Sequence, residues 1–246
     1  MYKINNKQLT FVDSRFYETM DGGYVPSVTT ILEAYPKGAA YYNWLKENGK
    51  DADEIRDEAG RRGSVVHKLT ERYDLGLIVN LVNEWGSIDY KLNEWAMFER
   101  YVDFRSRFNF VTECIELNII SKELGYAGTI DRVITMDGEK VLLDIKTSNA
   151  IYSSYWLQLA AYRNLLTTHH GAQIDKVAIL WLNAKTRTEG KKGDIQGMGW
   201  QMIIKEDTSK DLALFNATHA LWLAENETSK PKKLIYQTSH QYENNN

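Results

Sequence analysis

Two short apolar stretches carry charges where a strand core normally carries none. Asp131 stands inside residues 128–134 (GTIDRVI), and Asp144 and Lys146 close residues 140–146 (KVLLDIK). Both stretches are rich in β-branched and aliphatic residues and read as strands. Between them Met136-Asp137-Gly138-Glu139 supplies the reversal, with Asp-Gly as the turn pair. Residues two apart on a strand share a face. Asp144 and Lys146 therefore point the same way, with Ile145 opposed, and the hairpin brings Asp131 within reach of Asp144.

Two carboxylates and an ammonium are costly to bury without partners. Converging carboxylates repel unless a cation lies between them. Oxygen ligands favour a hard cation such as Mg²⁺ or Mn²⁺. The neighbouring lysine can hold a water or a phosphate oxygen. Together these groups describe a metal-dependent phosphodiester hydrolase.

Upstream, alternating runs at residues 8–12 and 15–18, broken by Asp21-Gly22-Gly23, predict a small hairpin. Pro26 and Ser27 then offer an N-cap for a short helix over 28–34. Pro36-Lys37-Gly38 precedes a helix over 39–48, where Tyr41, Tyr42 and Trp44 cluster. On a helix such rings more often pack than stack on bases. Residues 51–75 predict a long helix with Val66, Leu69 and Tyr73 on its buried face. His67 and Glu71, four apart, project from a neighbouring face and by themselves read as a satisfied surface pair. Gly63, four before His67, lets another backbone or a ligand approach. Arg61, Arg62, Lys68 and Arg72 suit either phosphates or a solvated face.

Residues 90–108 have helical spacing in Leu92, Trp95, Ala96, Phe98 and Val102, and residues 110–120 read as a strand. After the central hairpin, 155–166 predicts an apolar helix with Gln158 and Tyr162 on one face. A buried Gln needs partners, which an active-site edge or a structural network would supply equally. Residues 177–183 (VAILWLN) form a continuous apolar run, hence a central strand, and 200–205 form another. Between them 184–193 carries four basic residues and two glycines. That loop suits a grip on a nucleic-acid backbone or a solubilising hairpin tip. A helix over 211–227 closes the chain before a polar tail from Ser229. The expected organisation is one domain, 1–228, and a tail, 229–246.

The ordered set Gly128-Thr129-Ile130-Asp131, Asp144-Ile145-Lys146 thirteen residues later, and Gln158 with Tyr162 resembles the PD-(D/E)XK nuclease superfamily. It is most similar to the RecB-like branch, which includes the mitochondrial genome maintenance exonuclease and CRISPR-adaptation nucleases. The similarity extends to residues 26–32 (PSVTTIL) and 63–67 (GSVVH), and so covers much of the chain. It implies an α/β, restriction-endonuclease-like fold, a mixed central sheet flanked by helices. It also implies that Asp131, Asp144 and His67 bind Mg²⁺ or Mn²⁺, joined by the Ile145 carbonyl, with Glu71 a candidate orienting partner of His67. Lys146 would act in catalysis, and Gln158 and Tyr162 would orient the site or the strand. The family places a glutamate upstream of the glycine–aspartate strand. Glu113 and Glu116 both qualify, and regular alternation sets them on opposite faces. Spacing to Asp131 favours Glu116, with Glu113 the other candidate.

The implied activity is that of a DNA exonuclease in replication, recombination or repair, acting on single strands or duplex ends. A structure-specific endonuclease, or a non-catalytic nucleic-acid-binding subunit beside a recombination or replication protein, are the alternatives. Composition limits these readings. A net charge of −3 gives no global basic field, so nucleic-acid contact must rest on local patches. Cys114 is the one cysteine, so neither an intramolecular disulfide nor the four-cysteine iron–sulfur cluster of some RecB-like nucleases can form. No apolar run nears the ~20 residues of a membrane span, and the N-terminus has no signal-peptide core. The expected compartment is the reducing cytoplasm.

Overall fold

The computed structural model describes residues 8–11, 14–184, 199–228 and 231. The basic segment 185–193 and the tail from Ser229, Pro231 excepted, lie outside the described residues. Near the N-terminus, β1 (Gln8–Phe11), β2 (Ser14–Glu18) and β3 (Tyr24–Pro26) form an antiparallel sheet, so a third strand joins the expected hairpin. Ser27 then caps α1 (Val28–Ile31), its Oγ accepting the Thr30 N–H at 3.0 Å.

The next helix, α2 (Ala39–Asn48), buries no residue. Its rings stack on one another, Tyr41 on Trp44 with centroids 6.0 Å apart. The rings thus pack, but on one another and not in the core, since α2 lies against α3 and the turn before it. In α3 (Ala52–Asp74), Val66 and Leu69 are buried as expected, while Tyr73 stays 37% exposed. Helix α4 (Leu92–Arg107) buries Met97, Phe98, Tyr101 and Phe104. Leu92 is exposed, so the buried face is rotated from the one expected.

The central sheet comprises β4 (Phe110–Ser121), β5 (Tyr126–Met136), β6 (Glu139–Lys146), β7 (Lys176–Trp181) and β8 (Gln201–Lys205), paired in that order. Asp137 and Gly138, with φ of 54° and 83°, turn β5 into β6. Both need the left-handed region, which Asp-Gly tolerates. β6 and β7 are parallel and the other pairs antiparallel. A parallel pair needs a crossover, here α5 (Ser153–His170); α6 (Ser209–Glu225) follows β8.

Alternation along β6 feeds two cores. Leu142 joins Leu157, Leu165 and Phe215 beneath α5 and α6. Leu143 and Ile145 join Val66, Met97 and Phe104 beneath α3 and α4. Truncating one such leucine to alanine costs about 2–5 kcal/mol. The result is the mixed central sheet flanked by helices that the sequence predicts. No helix among the described residues is long and apolar enough to cross a membrane.

One irregularity of this sheet makes room for a site. Pairing of β5 with β6 stops at Arg132 and Leu143. β5 runs on beside β4 back to Tyr126, while β6 runs on beside β7 to Lys146. The two strands therefore fork, and Ser27 forms a bridge beside Ala127 on the side that β6 has left.

Candidate active site

Asp131 stands at the fork. Its Oδ2 accepts the Ile145 N–H at 2.7 Å, so the carboxylate replaces the ladder bond that ends there. Its Oδ1 lies 3.5 Å from His67 Nδ1. Glu116 Oε1 lies 3.8 Å from the same nitrogen. Ligand atoms of His67, Glu116 and Asp131 all fall within 4.8 Å of one another. These three come from α3, β4 and β5. Both charged partners of His67 thus come from the sheet, and Glu71 is not among them.

Asp144 lies beside this cluster rather than within it. Its buried Oδ2 has the Lys146 ammonium 2.7 Å away. Asp144 and Lys146 do share a face. Lys146 Nζ also donates to Gln158 Oε1 at 2.9 Å, and Gln158 Nε2 donates to the Tyr162 hydroxyl at 3.0 Å. The ring of Tyr155 lies 4.5 Å from the ammonium. The ring of Tyr162 packs over Gly128, where any Cβ would collide with it. That close approach is a physical reason for a glycine three residues before Asp131.

The electrostatics separate the two aspartates. Burial and the Asp131 charge push Asp144 up, against the pull of Lys146. Burial also opposes ionisation of Asp131, but the His67 charge and hydrogen bond, Lys146 and the Ile145 N–H hold it below the ordinary range. Burial would lower His67; Asp131 and Glu116 override it and raise the imidazole to about 10. The two carboxylates thus favour a positive charge between them. A divalent ion suits the same position, since one nitrogen and carboxylate oxygens at this mutual spacing match a coordination sphere of ~2.0–2.6 Å bonds.

The two glutamates are sorted by an irregular strand. A register shift between Thr112 and Cys114 interrupts β4, and Glu116 has φ of 48°. Simple alternation therefore does not apply. Glu113 is taken up by Thr135 and by Lys140, the latter at 3.2 Å, whereas Glu116 faces His67. Among the basic residues of α3, Arg61 pairs with Glu58 and Glu94. Arg62 reaches the Thr147 carbonyl at 3.4 Å, and its shielded Nε has no partner. What approaches Gly63 is Thr147, just past Lys146. Sequence reasoning passed over Arg132, which is fully buried. An arginine inside an apolar strand requires a buried partner, and that signal was available.

The fold is of the restriction-endonuclease-like class. A family model of the PD-(D/E)XK nuclease superfamily matches residues 30–229. The chain belongs to the PD-(D/E)XK nuclease superfamily. Among solved structures it is similar to a candidate exonuclease from Eubacterium rectale, at 12% identity over 88% of this chain and 89% of that one, TM-score 0.46. It is also similar to an alkaline exonuclease from Laribacter hongkongensis, at 13% identity over 82% and 88%, TM-score 0.39. No curated protein matches the sequence.

Proposed function

We propose that this chain is a divalent-metal-dependent deoxyribonuclease of the cluster-free RecB-like kind that degrades DNA from its ends. The observation that carries the reading is the fork. His67, Glu116 and Asp131 converge there, with the Asp144–Lys146 pair alongside. His67, Glu116 and Asp131 would hold Mg²⁺ or Mn²⁺. Asp144 and the Ile145 carbonyl stand as further ligands, since the N–H and carbonyl of one strand residue leave on the same side and the N–H already meets Asp131. A bound divalent ion supplies an acidified water and shields phosphate charge.

The chain's own groups do the rest. Lys146, fixed by Asp144 and Gln158, holds the attacking water or the negative charge that develops on phosphate. Gln158 and Tyr162 set the direction of that ammonium. Arg62, half-buried beside Thr147, takes a phosphate of the bound strand. Residues 1–228 act as one catalytic unit.

End-labelled linear and circular DNA, single- and double-stranded, test the reading. Linear substrates should be degraded with Mg²⁺ or Mn²⁺ and spared in EDTA, and circles should survive. Cut circles would make the enzyme an endonuclease, and EDTA-resistant cleavage would reject the metal. Arg62→Gln should raise KM about 10-fold at constant kcat; an unchanged KM would remove Arg62 from the strand path.

A further inference from the structure

Arg132 is fully buried and follows Asp131 directly, and its side chain reaches from the fork, at Glu116, to the end of α3. Nε donates to Asp74 Oδ2 at 2.7 Å, and Nη2 donates to Thr70 Oγ1 at 3.2 Å. Nη1 donates to the Asp131 carbonyl at 2.6 Å and to Glu116 Oε1 at 3.3 Å. One guanidinium thus joins α3, β4 and β5. These are the three elements that supply His67, Glu116 and Asp131.

The place of Asp74 in α3 is unfavourable by itself. Asp74 is the last residue of α3, and its side chain is fully buried. A carboxylate at a helix C-terminus opposes the macrodipole, and a buried one needs strong compensation. Arg105 lies 3.2 Å away, Arg132 donates to it, and the Tyr101 hydroxyl donates at 2.5 Å. Two guanidiniums meet one carboxylate, so one positive charge remains. Arg132 Nη1 presents it to Glu116.

We propose that Arg132 is a positioning residue that fixes Glu116 and the α3–β5 spacing for divalent-cation binding. The inference rests on the metal-site reading above. A planar fork with donors in fixed directions suits this task, and a lysine ammonium cannot reach Asp74, Thr70 and Glu116 together. Partners that orient metal-binding side chains typically govern affinity by 10–100-fold.

Mn²⁺ titration calorimetry on the whole chain, with thermal melts alongside, tests this. Arg132→Lys keeps a charge beside Asp74, so it should melt near the wild type yet bind Mn²⁺ about 10–100-fold more weakly. Glu116→Gln should weaken binding similarly, and the double variant should be no worse than Glu116→Gln alone. If Arg132→Lys fails to fold, Thr70→Val removes the acceptor of Arg132 Nη2, together with the hydroxyl's own bond to the His67 carbonyl at 2.8 Å, and leaves the ion pair; it should weaken Mn²⁺ binding about 10-fold, and Thr70→Ser, which keeps both bonds, should restore it. Unchanged affinity in a folded Arg132→Lys or Thr70→Val protein overturns the positioning role while leaving the metal site intact. Additive losses in the double variant overturn the route through Glu116. A wild type that binds no Mn²⁺ overturns the site and this role together.

Discussion

Ile145 donates its backbone N–H to Asp131 Oδ2 at 2.7 Å, so one carboxylate bonds the two strands at the point where their ladder ends. The other oxygen is left to face His67. Asp131→Asn keeps an acceptor for Ile145 and removes the charge. The variant should fold but, in EDTA, melt below the wild type, because the His67 charge loses one of its two carboxylates. Its cleavage rate should fall by about 10²–10³-fold, in line with the loss of one preorganised electrostatic group. Near wild-type cleavage would show that the charge has no role in turnover.

Lys146 and Asp144 form a buried pair, with side chains 16% and 3% exposed. Lys146→Met leaves Asp144 without its cation. Burial and Asp131 already push that carboxyl up, so it should take up a proton. Removing one partner of a buried pair costs about 3–5 kcal/mol. Lys146→Met with Asp144→Asn should recover much of that stability in denaturant melts and still not cleave DNA. Recovery of cleavage by the pair would remove Lys146 from the chemistry.

Gly128 leaves no room for a side chain beneath Tyr162. Gly128→Ala should destabilise the protein by about 1–3 kcal/mol through overpacking. Adding Tyr162→Leu should relieve the collision and restore stability, but not activity, because the Gln158–Tyr162 bond is gone. Equal melting of Gly128→Ala and wild type would contradict the packing.

His67 makes the metal-free protein sensitive to pH. Its folded value, about 10, stands above the ordinary 6.5. A raised value means that protonation favours the folded state. The contribution is full below about pH 6.5 and is lost as pH rises through about 10. In EDTA, the melting-temperature gap between wild type and His67→Gln should narrow across that window. A constant gap would mean that the imidazole carries no charge between the carboxylates.

The hairpin, its Asp-Gly turn and the shared face of Asp144 and Lys146 were legible because strand period and turn chemistry are local rules. The Ser27 cap was legible for the same reason. His67 was visible as a residue but not as a contact. Period 3.6 placed it beside Glu71, whereas the packing of α3 on the sheet pairs it with Asp131 and Glu116. Spacing to Asp131 favours Glu116, whereas strict alternation fails at the register shift in β4. The aromatic cluster of α2 marked packing, but clustering says nothing of whether a helix reaches a core. Arg132 escaped notice because its partners, Thr70, Asp74 and Glu116, are distant in sequence.

Crystals soaked in Mn²⁺ and measured near the manganese absorption edge address the central claim directly. The account predicts an anomalous peak at the β5–β6 fork, within bonding distance of His67 Nδ1 and of Asp131 and Glu116 carboxylate oxygens. No peak at that position, or one bound to other residues, would contradict it.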